Sequence, residues 1–221
     1  MLTIALCGQK GGAGKTTTAT NLAAELVTRG SRVLLVDADP QGSASWWVAK
    51  AREAKQPAPD LAHGDDSMHK RLPALADRFD VIVIDCPGRL SSVVRSALAV
   101  SDIAILPCGS GALDGWAFVE TVKQVREAQR LRPKLQAFAL VAHVDMRRAI
   151  GRSVHEVIQQ AKIQVLDAEL IDRAEYEEAP WGGQGVTTWA PSSQAAEEVR
   201  ALVDEVLNLR GKQHGKKKAV G

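Results

Sequence analysis

Gln9-Lys10-Gly11-Gly12-Ala13-Gly14-Lys15-Thr16-Thr17, set directly after the apolar run from Leu2 to Cys7, decides the reading of this chain. A strand that ends in a glycine-rich turn and opens a helix aims consecutive backbone N–H groups, and the positive end of the helix dipole, at one point in space. A polyphosphate fits there. In the pattern G-x-x-x-x-G-K-[ST] the lysine reaches the β- and γ-phosphates and the hydroxyl serves Mg²⁺. Lys15 and Thr16 are the candidates for those roles, with Gly11, Gly12, Ala13, Gly14 and Thr17 lining the phosphates. The strict pattern is broken once, because Gln9 stands where its first glycine belongs, with Gly8 next door.

Working outward, strand-length apolar runs alternate with longer stretches of helical period, which predicts an α/β fold: a doubly wound, mostly parallel sheet with helices on both faces. The strands run from Leu2 to Cys7, Val33 to Val36, Val81 to Ile84, Ile103 to Leu106, Ala137 to Ala142 and Gln164 to Leu166. Helices are expected over Thr16 to Thr28, Asp66 to Arg78, Ser91 to Ala99, Asp114 to Leu131, Ile150 to Ala161 and Ser193 to Leu209. Ser193 makes a good N-cap for the last of these, with Glu197 and Glu198 in its first turn.

At 221 residues the chain is long enough for one well-buried domain, and no Pro/Ser-rich linker divides it. We expect a single P-loop nucleotide-binding domain over 1–209 and a basic, disordered tail over 210–221. The net charge is +2, yet Arg210, Lys212, Lys216, Lys217 and Lys218 crowd the tail without an acid, leaving the remainder at −3. The globular part is therefore not broadly basic, and binding to nucleic acid must come from a local patch or the tail. Cys7, Cys86 and Cys108 form no C-x-x-C pair, which argues against a zinc site or a disulfide framework. No apolar segment approaches the ~20 residues that cross a bilayer, and the tail lacks the large apolar residues of a membrane-binding helix. A cytoplasmic protein without membrane contact is expected.

In doubly wound sheets ligands bind beyond the carboxyl ends of the strands. Asp37-Ala38-Asp39-Pro40-Gln41-Gly42 follows the second predicted strand and Asp85-Cys86-Pro87-Gly88 the third. Both sets of carboxylates then face the phosphate loop, where a hard cation such as Mg²⁺ takes oxygen ligands, many of them through water. Thr16, Asp39 and Asp85 are the candidate metal-site residues.

The spelling Lys-Gly-Gly-x-Gly-Lys-Thr is narrower than the general pattern and resembles the deviant Walker A loop of the ParA/MinD family of partition ATPases. Asp37-x-Asp39-Pro40-Gln41-Gly42 resembles that family's Walker A′ motif, and Asp85 its Walker B acid. The likeness extends to Leu113-Asp114-Gly115-Trp116 and to the stretch from Arg173 through Thr188, with Gly88-Arg89 as a departure after Asp85. No helix-turn-helix segment precedes the first strand, so the resemblance is to the small ParA type, and operator-specific repression is not expected.

What the resemblance implies is specific. The cofactors are ATP and Mg²⁺. Lys10 is the signature lysine that crosses an ATP-dependent homodimer to the partner's phosphates, an intermolecular counterpart of an arginine finger. Asp39 orients the attacking water, and Lys10, Lys15 and Asp39 form the catalytic set. The ATP dimer coats DNA without sequence preference. A ParB-like or cargo-adaptor protein then stimulates a weak intrinsic hydrolysis, so that a plasmid, chromosome or protein cluster is segregated or positioned on the nucleoid. Arg147, Arg148, Arg152 and Arg173 are the candidate DNA contacts, and the loop from Glu178 through Gly185 is the candidate for the adenine. A metabolic P-loop kinase or ligase of the dethiobiotin-synthetase sort shares the loop and is the alternative. An iron–sulfur reductase would need cysteines in a glycine-rich setting that Cys86 and Cys108 lack.

Overall fold

The computed structural model describes residues 1–89, 91–109, 112–144 and 149–218, with side chains placed outside 112–114, 149–153 and 210–218. Strands β1 (Leu2–Leu6), β2 (Val33–Asp37), β3 (Asp60–His63), β4 (Val81–Asp85), β5 (Ile103–Cys108), β6 (Gln136–Val144) and β7 (Gln164–Ile171) form one sheet in the order β3-β2-β4-β1-β5-β6-β7. Every pairing is parallel. The central strands β1, β2, β4 and β5 are buried along their whole length. That explains their unbroken apolar sequences, since a strand covered on both faces has no wet side to alternate with.

Two apolar cores lie on the two faces of the sheet. On one, Leu2, Ile4 and Leu6 of β1 meet helices α1 (Lys15–Thr28), α2 (Ser43–Glu53) and α9 (Gln194–Lys218), and Val186 of the short α8 (Val186–Trp189) joins them. On the other, Ala5 and Cys7 meet α3 (Met68–Arg71), α4 (Ser92–Val100), α5 (Ala112–Leu131) and α6 (Ala149–Ala161). A single turn, α7 (Glu175–Glu178), followed by a 3-10 turn over Ala179–Gly182, leads from β7 to α8.

Several elements differ from the sequence reading, among them the short α7 and α8, which it did not draw. The helix expected over Asp66 to Arg78 is only the one-turn α3 followed by a 3-10 turn, Leu72–Leu75, that carries Pro73 in its first positions. Proline has no N–H to continue an α-helix and crowds the preceding turn. Strand β3, absent from the sequence reading, is a half-exposed edge strand on β2. Helix α2 was likewise missed; its buried residues Ala44, Trp47, Val48 and Ala51 follow a helical spacing.

The last helix begins where its cap predicts, with the Ser193 hydroxyl accepting from the Ala196 N–H at 3.2 Å. Its backbone runs on through Lys218, nine residues past Leu209. It also guards the sheet edge. Glu205 accepts the β7 N–H groups of Asp167 and Ala168, at 2.9 and 3.0 Å, and Glu198 that of Ile171 at 3.1 Å. These carboxylates occupy donors that a further strand would otherwise recruit.

Candidate nucleotide site

The loop between β1 and α1 turns on two glycines in the left-handed region, Gly12 (φ +79°) and Gly14 (φ +85°). Gly14 is required twice over, because a Cβ there would also stand 2.5 Å from the His143 ring. No side chain caps α1. Its first-turn N–H groups are thus left pointing into the loop, which is the anion-binding end of the helix dipole.

Lys15 opens α1 and is 6% exposed, and its Nζ donates to the Lys10 carbonyl at 3.0 Å. In this arrangement the ammonium spans the mouth of the loop, where a phosphate oxygen could replace the carbonyl as acceptor. Gly88 closes the mouth from below: a Cβ there would lie 3.6 Å from both Lys15 Nζ and Gly11 N. Those are ordinary van der Waals distances, so Gly88 lies against the cation and the loop backbone.

Thr16 donates its hydroxyl hydrogen bond to Asp85 Oδ2 at 2.6 Å, and Asp85 is fully buried. The other carboxylate oxygen, Oδ1, is buried without a partner. Burial pushes the Asp85 carboxyl up to about 7, with Asp37 and Asp39 adding to the rise and Thr16 and Lys15 opposing it. A buried anion beside two other carboxylates and an orphaned oxygen are what a cation would relieve. No group of three or more His, Cys, Asp or Glu among the described residues could cage a metal by itself. That suits Mg²⁺, which keeps several waters and shares its ligands with a nucleotide's phosphates. The residues present therefore fit a magnesium-bound nucleotide.

Asp37 has a different job from its neighbours. Its Oδ2 accepts from both the N–H and the hydroxyl of Ser45, at 2.7 and 2.6 Å, and its Oδ1 from the Asp39 N–H at 3.2 Å. It pins the start of α2 to the end of β2 and shapes the turn that carries Asp39. Asp39 itself is half-buried, its Oδ1 accepting only the Gln41 N–H at 3.0 Å among the bonds described. One carboxylate oxygen remains for a water or a metal's hydration shell.

The segment read as the adenine loop is clasped between helices. Trp47 Nε1 donates to the Gln184 carbonyl at 3.1 Å, and Asn21 accepts the Val186 N–H at 2.8 Å. His143, unnoticed in the sequence, ends β6 with φ +53° against Gly14, its ring centroid 6.0 Å from that of Tyr176. Burial holds its imidazole below the usual histidine value, opposed by Asp172 and Glu177. No motif signals it, because its place depends on a left-handed residue at the end of a strand.

The candidate DNA contacts fare unevenly. Arg147 and Arg148 lie outside the described residues, and of Arg152 only the backbone, in α6, is described. Arg173 is half-buried and pairs with Glu198 through two contacts at 2.7 and 2.8 Å.

The Asp85 shift carries a pH consequence. Between the unfolded carboxyl value of 3.8 and the folded value of about 7, the native state holds a proton that the unfolded state has lost. Stability contributed by this group is therefore present at low pH and lost as pH rises through 7. The melting temperature of the ligand-free protein, measured against Asp85→Asn, should show this falling component between about pH 4 and 7. Parallel profiles for the two proteins would contradict it.

Residues 4–186 match the CobQ/CobB/MinD/ParA nucleotide binding domain family. The chain is 33% identical over 210 residues to maintenance of carboxysome distribution protein A of Halothiobacillus neapolitanus, covering 93% of this chain and 96% of that protein. It is 33% identical over 238 residues to the chromosome-partitioning ATPase Soj of Thermus thermophilus, covering 92% of this chain and 94% of the relative. In fold it is similar to the cell division ATPase MinD of Pyrococcus furiosus, with a TM-score of 0.78 at 20% identity over 94% of this chain and 99% of the other. The loop, the buried Asp85 and the parallel sheet that brings them together thus have one explanation: the chain belongs to the CobQ/CobB/MinD/ParA nucleotide-binding family.

Proposed function

We propose that this protein is an ATP-dependent dimerising switch that positions or segregates a cargo on DNA. The observation that carries the reading is the pairing of two lysines in one phosphate loop. Lys15 is buried where the loop opens α1, and the half-buried Lys10 lies five residues before it in the same loop. A single site needs one such cation. A second, reaching the phosphates of a facing subunit, makes charge neutralisation conditional on dimerisation.

If ATP and Mg²⁺ bind here, the loop N–H groups from Gly11 to Thr17 and Lys15 would hold the phosphates, Thr16 would ligate the metal, and Asp85 would hold the metal's waters. Asp39 orients the attacking water. The magnesium ion supplies charge neutralisation at the phosphates. Lys10 from the partner subunit completes the site, so hydrolysis is slow in the monomer and loss of the γ-phosphate separates the subunits.

Dimerisation doubles any cationic patch. Arg147, Arg148, Arg152 and the lysines of the C-terminal segment are the proposed contacts to DNA phosphates, and two copies acting together raise affinity and salt dependence at once. A ParB-like or cargo-adaptor protein, stimulating hydrolysis together with DNA, would release the dimer. Two relatives are named for carboxysome distribution and for chromosome partitioning, which supports a positioning or segregating role. No described helix is long and apolar enough to cross a membrane, and the proposed location is the nucleoid surface in the cytoplasm.

DNA retention assays at graded salt test this. Binding should require ATP, and for about six phosphate contacts it should fall on the order of a thousandfold between roughly 50 and 200 mM salt. Binding that ignores nucleotide or salt would overturn the proposal.

A further inference from the structure

We infer that Thr121, in the middle of α5 and far from the loop in sequence, is the positioning residue for Lys10. The inference rests on the role proposed for that lysine. Thr121 is 4% exposed. Its hydroxyl donates to the Ala117 carbonyl one turn earlier at 2.8 Å, which fixes the hydroxyl rotor and leaves a lone pair turned outward from the helix. That lone pair accepts the N–H of Gln9 at 3.2 Å, across 112 residues of sequence.

The peptide plane that precedes Lys10 by one residue is therefore tied to α5. On its other side, the Lys10 carbonyl accepts from Lys15 Nζ. A phosphate arriving in the loop draws Lys15 Nζ away from that carbonyl, because a charged acceptor outcompetes a neutral one. The Thr121 bond involves no atom of the phosphate site and can persist. It then sets the direction in which the backbone presents Lys10.

Two small, partly open clefts flank this piece of chain, one lined in part by Gly8, Lys10, Phe118 and Thr121, the other by Cys7, Arg89, Thr121 and Gln124. The side-chain nitrogens of Gln9 and Gln124 are both buried beside these clefts without a hydrogen-bond partner. Where neighbours leave gaps and donors go unpaired, a single directional bond decides orientation more than it would in a close-packed core. Such a loop base can also shift against α5 when a dimer forms, and Thr121 keeps the shift in register with the helix.

The test compares Thr121→Val with Thr121→Ser in the full chain, with Lys10→Ala alongside. Valine keeps the volume and removes the acceptor; serine restores it. ADP affinity of the monomer is measured by calorimetry, ATP-driven dimerisation by light scattering, and stability by thermal melting. Thr121→Val should weaken dimerisation about tenfold while ADP affinity stays within about threefold of the parent, and Thr121→Ser should recover most of the loss. Unchanged dimerisation in Thr121→Val, beside a Lys10→Ala protein that fails to dimerise, would overturn the tether and leave the lysine's role standing. Equal losses of ADP affinity and dimerisation that track a lowered melting temperature would also overturn it, by making Thr121 a packing residue. Normal dimerisation of Lys10→Ala would remove the reading beneath the inference, and the inference with it.

Discussion

Lys15→Ala should bind ATP at least about a hundredfold more weakly than the parent protein, because a charge-assisted contact to phosphate is among the stronger single interactions a site can lose. The structure makes the loss specific. Lys15 is buried at the first position of α1, between Gly88 and the Lys10 carbonyl. No other lysine or arginine shares that position in the described site. Alanine is a better helix former than lysine, so the start of α1 is not weakened by propensity. Titration calorimetry with ATP and Mg²⁺ would read the effect, and near-parental affinity in a folded variant would show that the loop does not hold phosphate through this side chain.

Asp39→Ala should do the opposite to binding and the same to turnover. Nucleotide affinity is expected to survive, while hydrolysis falls by a hundredfold or more, the usual scale for losing a group that positions or deprotonates a nucleophile. The protein should then accumulate as an ATP-bound dimer that stays on DNA. The local structure supports a clean separation, because the turn and α2 are anchored by Asp37 through Ser45 and the Asp39 N–H, whereas the Asp39 side chain accepts one bond, from Gln41. Size-exclusion with light scattering and single-turnover hydrolysis would check it. Loss of binding in step with hydrolysis would remove the division of labour between the two residues.

The parts of this molecule legible in its sequence are those whose physics is local. Strands β1, β2, β4 and β5 are buried along their length, so their sequences are dominated by apolar residues, and β6 repeats the pattern from Phe138 to Ala142. The phosphate loop is legible for the same reason: its glycines, lysine and threonine act through their own backbone and side chains within nine residues. Edge strand β3 has no such signature. Asp60 to His63 is half exposed and pairs only with β2, so its conformation is imposed by its neighbour. Helix α2 did carry a readable spacing at Ala44, Trp47, Val48 and Ala51. The adjacent Trp46-Trp47 pair and the absence of a side-chain cap obscured it. Pro73 was a visible breaker inside the helix drawn over 66–78.

In the site, Thr16 bonds Asp85, and Lys15 and Asp39 lie close enough to act on its charge. Long-range contacts do not announce themselves. Thr121 of α5 meets Gln9, His143 near the end of β6 meets Gly14, and Asp37, beside Asp85, also anchors Ser45. Each depends on which strand lies beside which, and that order is set by the whole sheet.

The central claim is that two subunits share each triphosphate, and a crystal structure of the Asp39→Ala protein with ATP and Mg²⁺ tests it most directly. The account predicts a face-to-face pair in which Lys10 of each protomer lies within hydrogen-bonding distance of phosphate oxygens held by its partner's loop. A protomer with ATP and metal in place, its Lys10 extended into solvent and no second copy opposite, would contradict it.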